Sequence, residues 1–284
     1  MGPDIPWYLA VSSILFAIGV GGVLLRRSPL IVLLSLEIMA GATKVAALVL
    51  TLRILVTAFP EQAEIWSIAV AVLAVASLAI GNLAAIAQRD VKRMLAYSSV
   101  SHAGFLLIAI AANSDDGATS LLYYLIPYAA ATVGAFAVVA SRERELGRPV
   151  SLASLEGLGW ERPFLGVGMW VFMLSLAGFP LTGGFLGKLF VFSAIYEAGW
   201  WWLVVIGVLA TALSLAYYLN IVRALYMRQG EVSPGTVVAA GGSPPRDLLL
   251  DAAVAAGIVV TIGSFFFVQP LVDLARDAAA SLPL

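Results

Sequence analysis

The chain has 284 residues, 61% hydrophobic and 12% charged, with a formal net charge of −1, whereas a soluble domain carries about 25% charged residues. So few charges cannot cover a water-exposed surface, and with a mean hydropathy of +0.98 lipid must solvate much of the chain. The near-neutral balance argues against a nucleic-acid partner; zero cysteines and one histidine exclude iron–sulfur clusters, Cys-ligated zinc and bis-histidine haem within the chain.

Residues 1–6 include Asp4 but no basic residue, so the first apolar run reads as an uncleaved helix rather than a signal peptide. Apolar runs of spanning length fall at roughly 5–25, 29–56, 65–88, 94–112, 118–140, 163–196, 200–227 and 247–270. The fold class is therefore an all-α polytopic membrane protein with about eight transmembrane helices. The loops after spans 1, 3, 5 and 7 hold Arg26, Arg27, Arg89, Lys92, Arg93, Arg142, Arg144, Arg148, Arg162, Arg228 and Arg246; the opposite side holds only Arg53 and Arg276. This asymmetry places the basic loops in the cytoplasm and both termini outside it. Trp7, Tyr8, Trp66, Trp160 and Trp200–Trp202 fall at span ends, as an interfacial aromatic belt requires. The connection 141–162 alternates charge with Val150, Leu152, Leu155 and Leu158 and predicts a short interfacial amphipathic helix; 229–246 reads as plain loop.

Two of the three lysines, Lys44 and Lys188, lie inside spans, where a central charge costs roughly 2.5–3.5 kcal/mol or more. Such residues usually face protein or water, the alternative being a stem that snorkels to the interface. Lys188 ends the stretch Gly178-Phe-Pro-Leu-Thr-Gly-Gly-Phe-Leu-Gly-Lys188. Gly178, Pro180, Gly183 and Gly184 predict a helix broken near 179–184, tolerated only where it lines a protein-enclosed cavity; a glycine face for tight helix packing is the competing reading. Glu37 and Lys44 share one face of span 2, about 10 Å apart along the axis, too far for a direct ion pair. Glu37 carries a proton there or contacts a neighbouring subunit. His102 follows Ser98 and Ser99 by four and three residues, on one helix face. It is a proton relay or a neutral ring packed onto a carbonyl. Lys92 and Arg93, at the basic end of that span, read as topology anchors.

The stretch Arg89-Asp-Val-Lys-Arg-Met-Leu-Ala-Tyr-Ser-Ser-Val-Ser-His-Ala-Gly-Phe105 resembles the signature of the antiporter-like subunits of respiratory complex I, the proton-pumping NADH:quinone oxidoreductase. Gly178–Lys188 is similar to that family's second broken helix, with Leu181 where a second proline is usual. With Met39-Ala-Gly-Ala-Thr-Lys44 and Arg53, these segments place residues 40–284 on the C-terminal half of the N subunit. Residues 1–39 are different: Tyr8 to Val20, Arg26-Arg27 and Leu34-Ser-Leu-Glu-Ile-Met39 resemble the small K subunit, whose membrane glutamate falls on Glu37. The chain thus reads as a K-like head joined to an N-like tail inside span 2, and spans 3–7 match one five-helix repeat where the family has two. The resemblance implies a proton pathway through Lys44, His102, Lys188 and Glu37, supported by Ser98, Ser99 and Lys92. It also implies other membrane-arm subunits as partners and a bacterial cytoplasmic membrane. NADH, FMN, iron–sulfur clusters and quinone belong to partner subunits, with no redox chemistry in this chain. A non-conducting structural module from a truncated fusion, or a subunit of a multisubunit cation/proton antiporter, are the other readings.

Because the chain has no native cysteine, its topology is directly testable. Cysteine at Ser114 should react with an impermeant thiol reagent from outside the cell. Cysteine at Ser233 should react only after the membrane is opened. Labelling of both from one side, or the reverse pattern, overturns the arrangement.

Overall fold

The computed structural model describes residues 46–227 and 248–280. The first span, Glu37, Lys44 and the 229–246 loop lie outside the described residues. Those described form helices, with one isolated antiparallel bridge between Asp90 and Ser151.

In chain order the helices are α1 (Ala46–Ala58), α2 (Ala63–Ile86), α3 (Val91–Ala111), α4 (Asp115–Leu146), α5 (Leu158–Glu161), α6 (Pro163–Ala177), α7 (Gly183–Glu197), α8 (Trp201–Tyr226), α9 (Leu248–Phe266) and α10 (Val268–Ala279). Five of them, α2, α3, α4, α8 and α9, are long and apolar enough to cross a membrane, and they match expected spans 3, 4, 5, 7 and 8. Local sequence sets their ends. The Asp90 carboxylate caps α3 by accepting the Arg93 amide at 2.9 Å. Ser114 caps α4 the same way through Gly117, ahead of Asp115 and Asp116 in the first turn. Gly147, at φ 64°, stops α4 in the left-handed conformation.

At the centre lies α4, packed on α3, α6, α7, α9 and α10, while α2 packs mainly on α3. Ile65, Val72, Ile80 and Leu83 on α2, Val205 and Leu209 on α8, and Val259 and Phe266 on α9 face outward. An apolar surface of this kind calls for lipid around it.

Span 6 is two helices. α6 stops at Ala177 and α7 starts at Gly183, each 15 residues long, or about 22 Å, short of a ~30 Å hydrocarbon core. Gly178 turns the chain at φ 81°, and Leu181 also has positive φ, 72°. The break is where the Gly–Pro cluster puts it.

Two expectations need correction. The connection 141–162 holds no single amphipathic helix: α4 runs on to Leu146, followed by a 3-10 turn at Ala153–Leu155 and the four-residue α5. Gly147 and Gly157, both at positive φ, interrupt the helical period, and the Asp90–Ser151 bridge draws the segment onto the start of α3. The last span, expected to reach 270, ends at Phe266, because Phe267 leaves helical geometry at φ −101°, ψ 40°. A separate amphipathic helix, α10, follows, burying Ala275, Ala278 and Ala279 while Asp273, Arg276 and Asp277 are exposed.

The two halves of span 6 meet at Gly184, where a Cβ would overlap the Ser175 carbonyl. Gly184→Ala should therefore destabilise by about 1–3 kcal/mol and lower the thermal midpoint in detergent by several degrees. Gly263→Ala, which meets nothing within 4 Å, should lower it not at all. Equal midpoints for the two variants would refute the close approach.

Candidate functional site

His102 sits on the buried face of α3, 2% exposed. Its Nδ1 is 2.7 Å from the Tyr124 hydroxyl on α4, and its Nε2 is 3.0 Å from the Tyr218 hydroxyl on α8. Tyr218 also bonds to the Ser98 hydroxyl, one turn below His102 on α3. Ser98, Tyr218, His102 and Tyr124 thus form a continuous row of groups that both donate and accept. Beside it, the Tyr217 hydroxyl donates to Asn82 Oδ1 on α2 at 3.1 Å, and Asn82 donates to the Leu78 carbonyl. Ser99, by contrast, donates to the Ala96 carbonyl of its own helix at 2.7 Å. Ser98 is joined to the row through the Tyr218 hydroxyl.

Lys188 on α7 is 3% exposed. Its ammonium donates to the carbonyls of Leu176 and Ala177 at 3.0 and 3.2 Å. These are the last carbonyls of α6, left without helical donors by the break, and a cation at a helix C-terminus also meets the negative end of its dipole. The ammonium lies 4.7 Å from the centroid of the Phe105 ring, and its stem runs along Gly178. Among the described residues no carboxylate pairs with it. The ammonium is held inside the protein and does not snorkel.

Phe105 links the two centres: its ring faces Lys188 and stands 6.2 Å from the His102 ring. Tyr124, bonded to His102, packs its ring on Gly187 next to Lys188. No hydrogen bond joins Lys188 to His102; an aromatic wall separates them. At the break itself, the Thr182 hydroxyl donates to the Phe179 carbonyl at 2.7 Å. Gly183 lies against Ser264 on α9 and Pro127 on α4. Pro180, with Phe179 and Leu181, is exposed at the tip of the break.

Lys92 is no isolated anchor. Its ammonium is 2.5 Å from Glu143 on α4, a carboxylate with 5% side-chain exposure that also accepts the Val150 amide. Arg142 joins Glu145, Glu161 and the Ser154 carbonyl, and Arg162 joins Glu145. The charges of 141–162 therefore form a paired rim tying α3, α4 and the 147–162 connection together. Among the described residues no three His, Asp or Glu side chains converge in a metal-binding group.

Sequence reasoning missed Tyr124, Tyr218, Tyr217, Asn82 and Glu143. A signal existed for the tyrosines: the pairs Tyr123-Tyr124 and Tyr217-Tyr218 sit in the middle of apolar runs, where a phenol hydroxyl must find a partner. Glu143 carried none, because it stands among other charges in a connection that reads as interfacial.

The family described as NADH:quinone oxidoreductase/Mrp antiporter, TM, matches residues 27–214, beginning within the stretch that resembles the K subunit. The NADH-quinone oxidoreductase subunit N of Salinibacter ruber is 43% identical over 233 residues, 80% of this chain and 46% of that protein. Among solved structures, a chain of respiratory complex I from Thermus thermophilus with bound aureothin superposes with a TM-score of 0.66 at 34% identity, covering 88% of this chain and 52% of that one. A chain of the Mrp complex from Dietzia sp. DQ12-45-1b has the same fold, with a TM-score of 0.73 at 21% identity, covering 97% and 66%. The chain spans about half the length of the curated relatives it matches.

The shared role of Tyr218 is open to test. Tyr218→Phe removes the hydroxyl from both Ser98 and His102 and should cost about 1–3 kcal/mol, since each loses a buried partner. Tyr196, 66% exposed, serves as the control, and Tyr196→Phe should be neutral. Thermal unfolding in detergent reads the difference. No difference between them would mean that the row is not maintained.

Proposed function

The chain belongs to the NADH:quinone oxidoreductase/Mrp antiporter transmembrane family, and from that premise we propose that it is a membrane-arm subunit, or part of one, in a proton-translocating NADH:quinone oxidoreductase. The observation that carries the reading is Lys188, an ammonium buried at a helix break and bound to freed carbonyls. A charge so placed is costly unless it is used. The His102 row beside it supplies groups that can pass a proton along hydrogen bonds. In this reading Lys188 is the lysine of the outward half-channel and His102 the relay. Lys44 is the linking lysine between half-channels, and Glu37, with no broken helix to hydrate it, does not replace the missing inward half. Lys92 acts through Glu143 by holding the cytoplasmic end of α3.

Nothing in this set of residues does redox chemistry; NADH, FMN, iron–sulfur clusters and quinone belong to partner subunits. The complex sits in the bacterial cytoplasmic membrane, with both termini of this chain outside the cytoplasm. Residues 1–39 form a K-like head and 40–284 the antiporter-like module. The 43% identity to a subunit N favours this assembly over a multisubunit antiporter, whose likeness is one of fold.

Alternating access in this kind of transporter comes from paired inverted repeats, and the chain spans 46% of that relative. The purified chain in liposomes should therefore give no proton flux above protein-free vesicles under an imposed potential. Flux that disappears in Lys188→Ala would show that one repeat suffices and overturn this part of the reading. Coexpressed with the other membrane-arm subunits, the chain should copurify with them. With Lys188→Ala it should still copurify, while NADH-driven proton pumping by the assembled membranes is lost. Copurification with pumping unchanged in Lys188→Ala favours the non-conducting structural module, and failure to copurify overturns the membrane-arm assignment.

A further inference from the structure

Thr261 lies on the face of α9 that meets α4. Gly257, Thr261 and Ser264 are four and three residues apart, one helix face. At one end of this row Gly257 backs onto the Ala130 carbonyl. At the other, Ser264 accepts the Tyr123 hydroxyl through its carbonyl at 2.7 Å, and its side chain lies against Gly183, whose own neighbour is Pro127. Bracketed by these contacts, Thr261 faces the turn of α4 around Pro127. It is 0% exposed, and its hydroxyl has no hydrogen-bond partner among the described residues.

That is unusual within this protein. Thr51, Thr57 and Thr211 each donate to the carbonyl four residues back, at 2.6–2.9 Å. Thr261 does not, and a buried hydroxyl without a partner costs about 1–3 kcal/mol. The α4 residues that Gly257 and Ser264 touch, Ala130 and Tyr123, flank a complementary deficit. Pro127 is inside the helix and has no amide hydrogen to give the Tyr123 carbonyl. A second buried hydroxyl without a partner, Thr132, lies on α4 five residues beyond Pro127.

We propose that an ordered water molecule is bound between α4, α7 and α9, accepting from or donating to the Thr261 hydroxyl and donating to the Tyr123 carbonyl, beside the first residue of α7. Water matches these groups, one that both donates and accepts and another that only accepts. A cation is disfavoured by the positive end of the α7 dipole and by Lys188, about 7.5 Å along the axis from Gly183. The site hydrates the outer side of the helix break whether or not protons pass through the chain.

Radiolytic footprinting of the full chain in 18O-labelled solvent tests this, because bound water oxidises its neighbours and exchanges slowly. The wild type should show oxidation of Tyr123 and Pro127 despite their burial, with delayed incorporation of label. Thr261→Val should lose that modification and unfold at a lower temperature, while Thr261→Ser should retain both. Protection of Tyr123 and Pro127 in the wild type overturns the proposal even if the variants fail to fold. So does Thr261→Val with unchanged oxidation, or with equal or greater stability. Stability that depends on Thr261 in sodium chloride but not in choline chloride would assign the site to an ion and also overturn it.

Discussion

A carbonyl deprived of its helical donor inside a membrane must find another donor or be hydrated, and this constraint organises the centre of the molecule. Gly178 ends α6 and leaves the Leu176 and Ala177 carbonyls to the Lys188 ammonium. Break and lysine satisfy each other: the ammonium would be too costly at this depth without acceptors, and the carbonyls would be too costly without a donor. The surrounding helices follow from that pairing. Phe105 of α3 places its ring over the charge, Gly184 lets the two half-helices close against Ser175, and Gly183 admits α9 and the Pro127 turn of α4.

Much of this was legible in the sequence, because its causes are local. Apolar run length gave α2, α3, α4, α8 and α9, and the Gly–Pro cluster located the interruption of span 6. What escaped was decided by pairing across the fold. The Arg142–Glu145 stretch reads as the start of a separate interfacial helix because it is charged, yet it continues α4, since Arg142, Glu143 and Glu145 are each paired with partners from other elements. Tyr124 and Tyr218 are ordinary aromatic residues until two helices bring them to the same imidazole. Spacing placed Ser98 and Ser99 near His102, but only the position of α8 brings the Tyr218 hydroxyl to Ser98.

The paired rim also changes what the basic residues on that side mean. Their sign is the basis for the expected orientation of the chain, but Lys92, Arg142 and Arg162 are not simply solvated charges. They hold the 147–162 connection against α3 and α4, and the same connection reaches α8 through Gly157 and Trp160, which donate to the Ala224 and Tyr226 carbonyls. The end of the bundle that carries Lys92 is thereby tied to α3, α4 and α8, while α10 packs on α4.

A row of hydroxyls and an imidazole has a direction. If His102 donates from Nδ1 to Tyr124, its Nε2 accepts from Tyr218, which is then free to accept from Ser98; if it donates from Nε2, each bond points the other way. The two tautomers of one ring thus correspond to two orientations of the whole row. A proton that hops from end to end converts one orientation into the other. A second proton cannot follow the same way until every group has turned back. In the proposed relay the row would be a turnstile that registers its last passage, and its resetting, in which the hydroxyls and the imidazole turn back, would set the interval before the next.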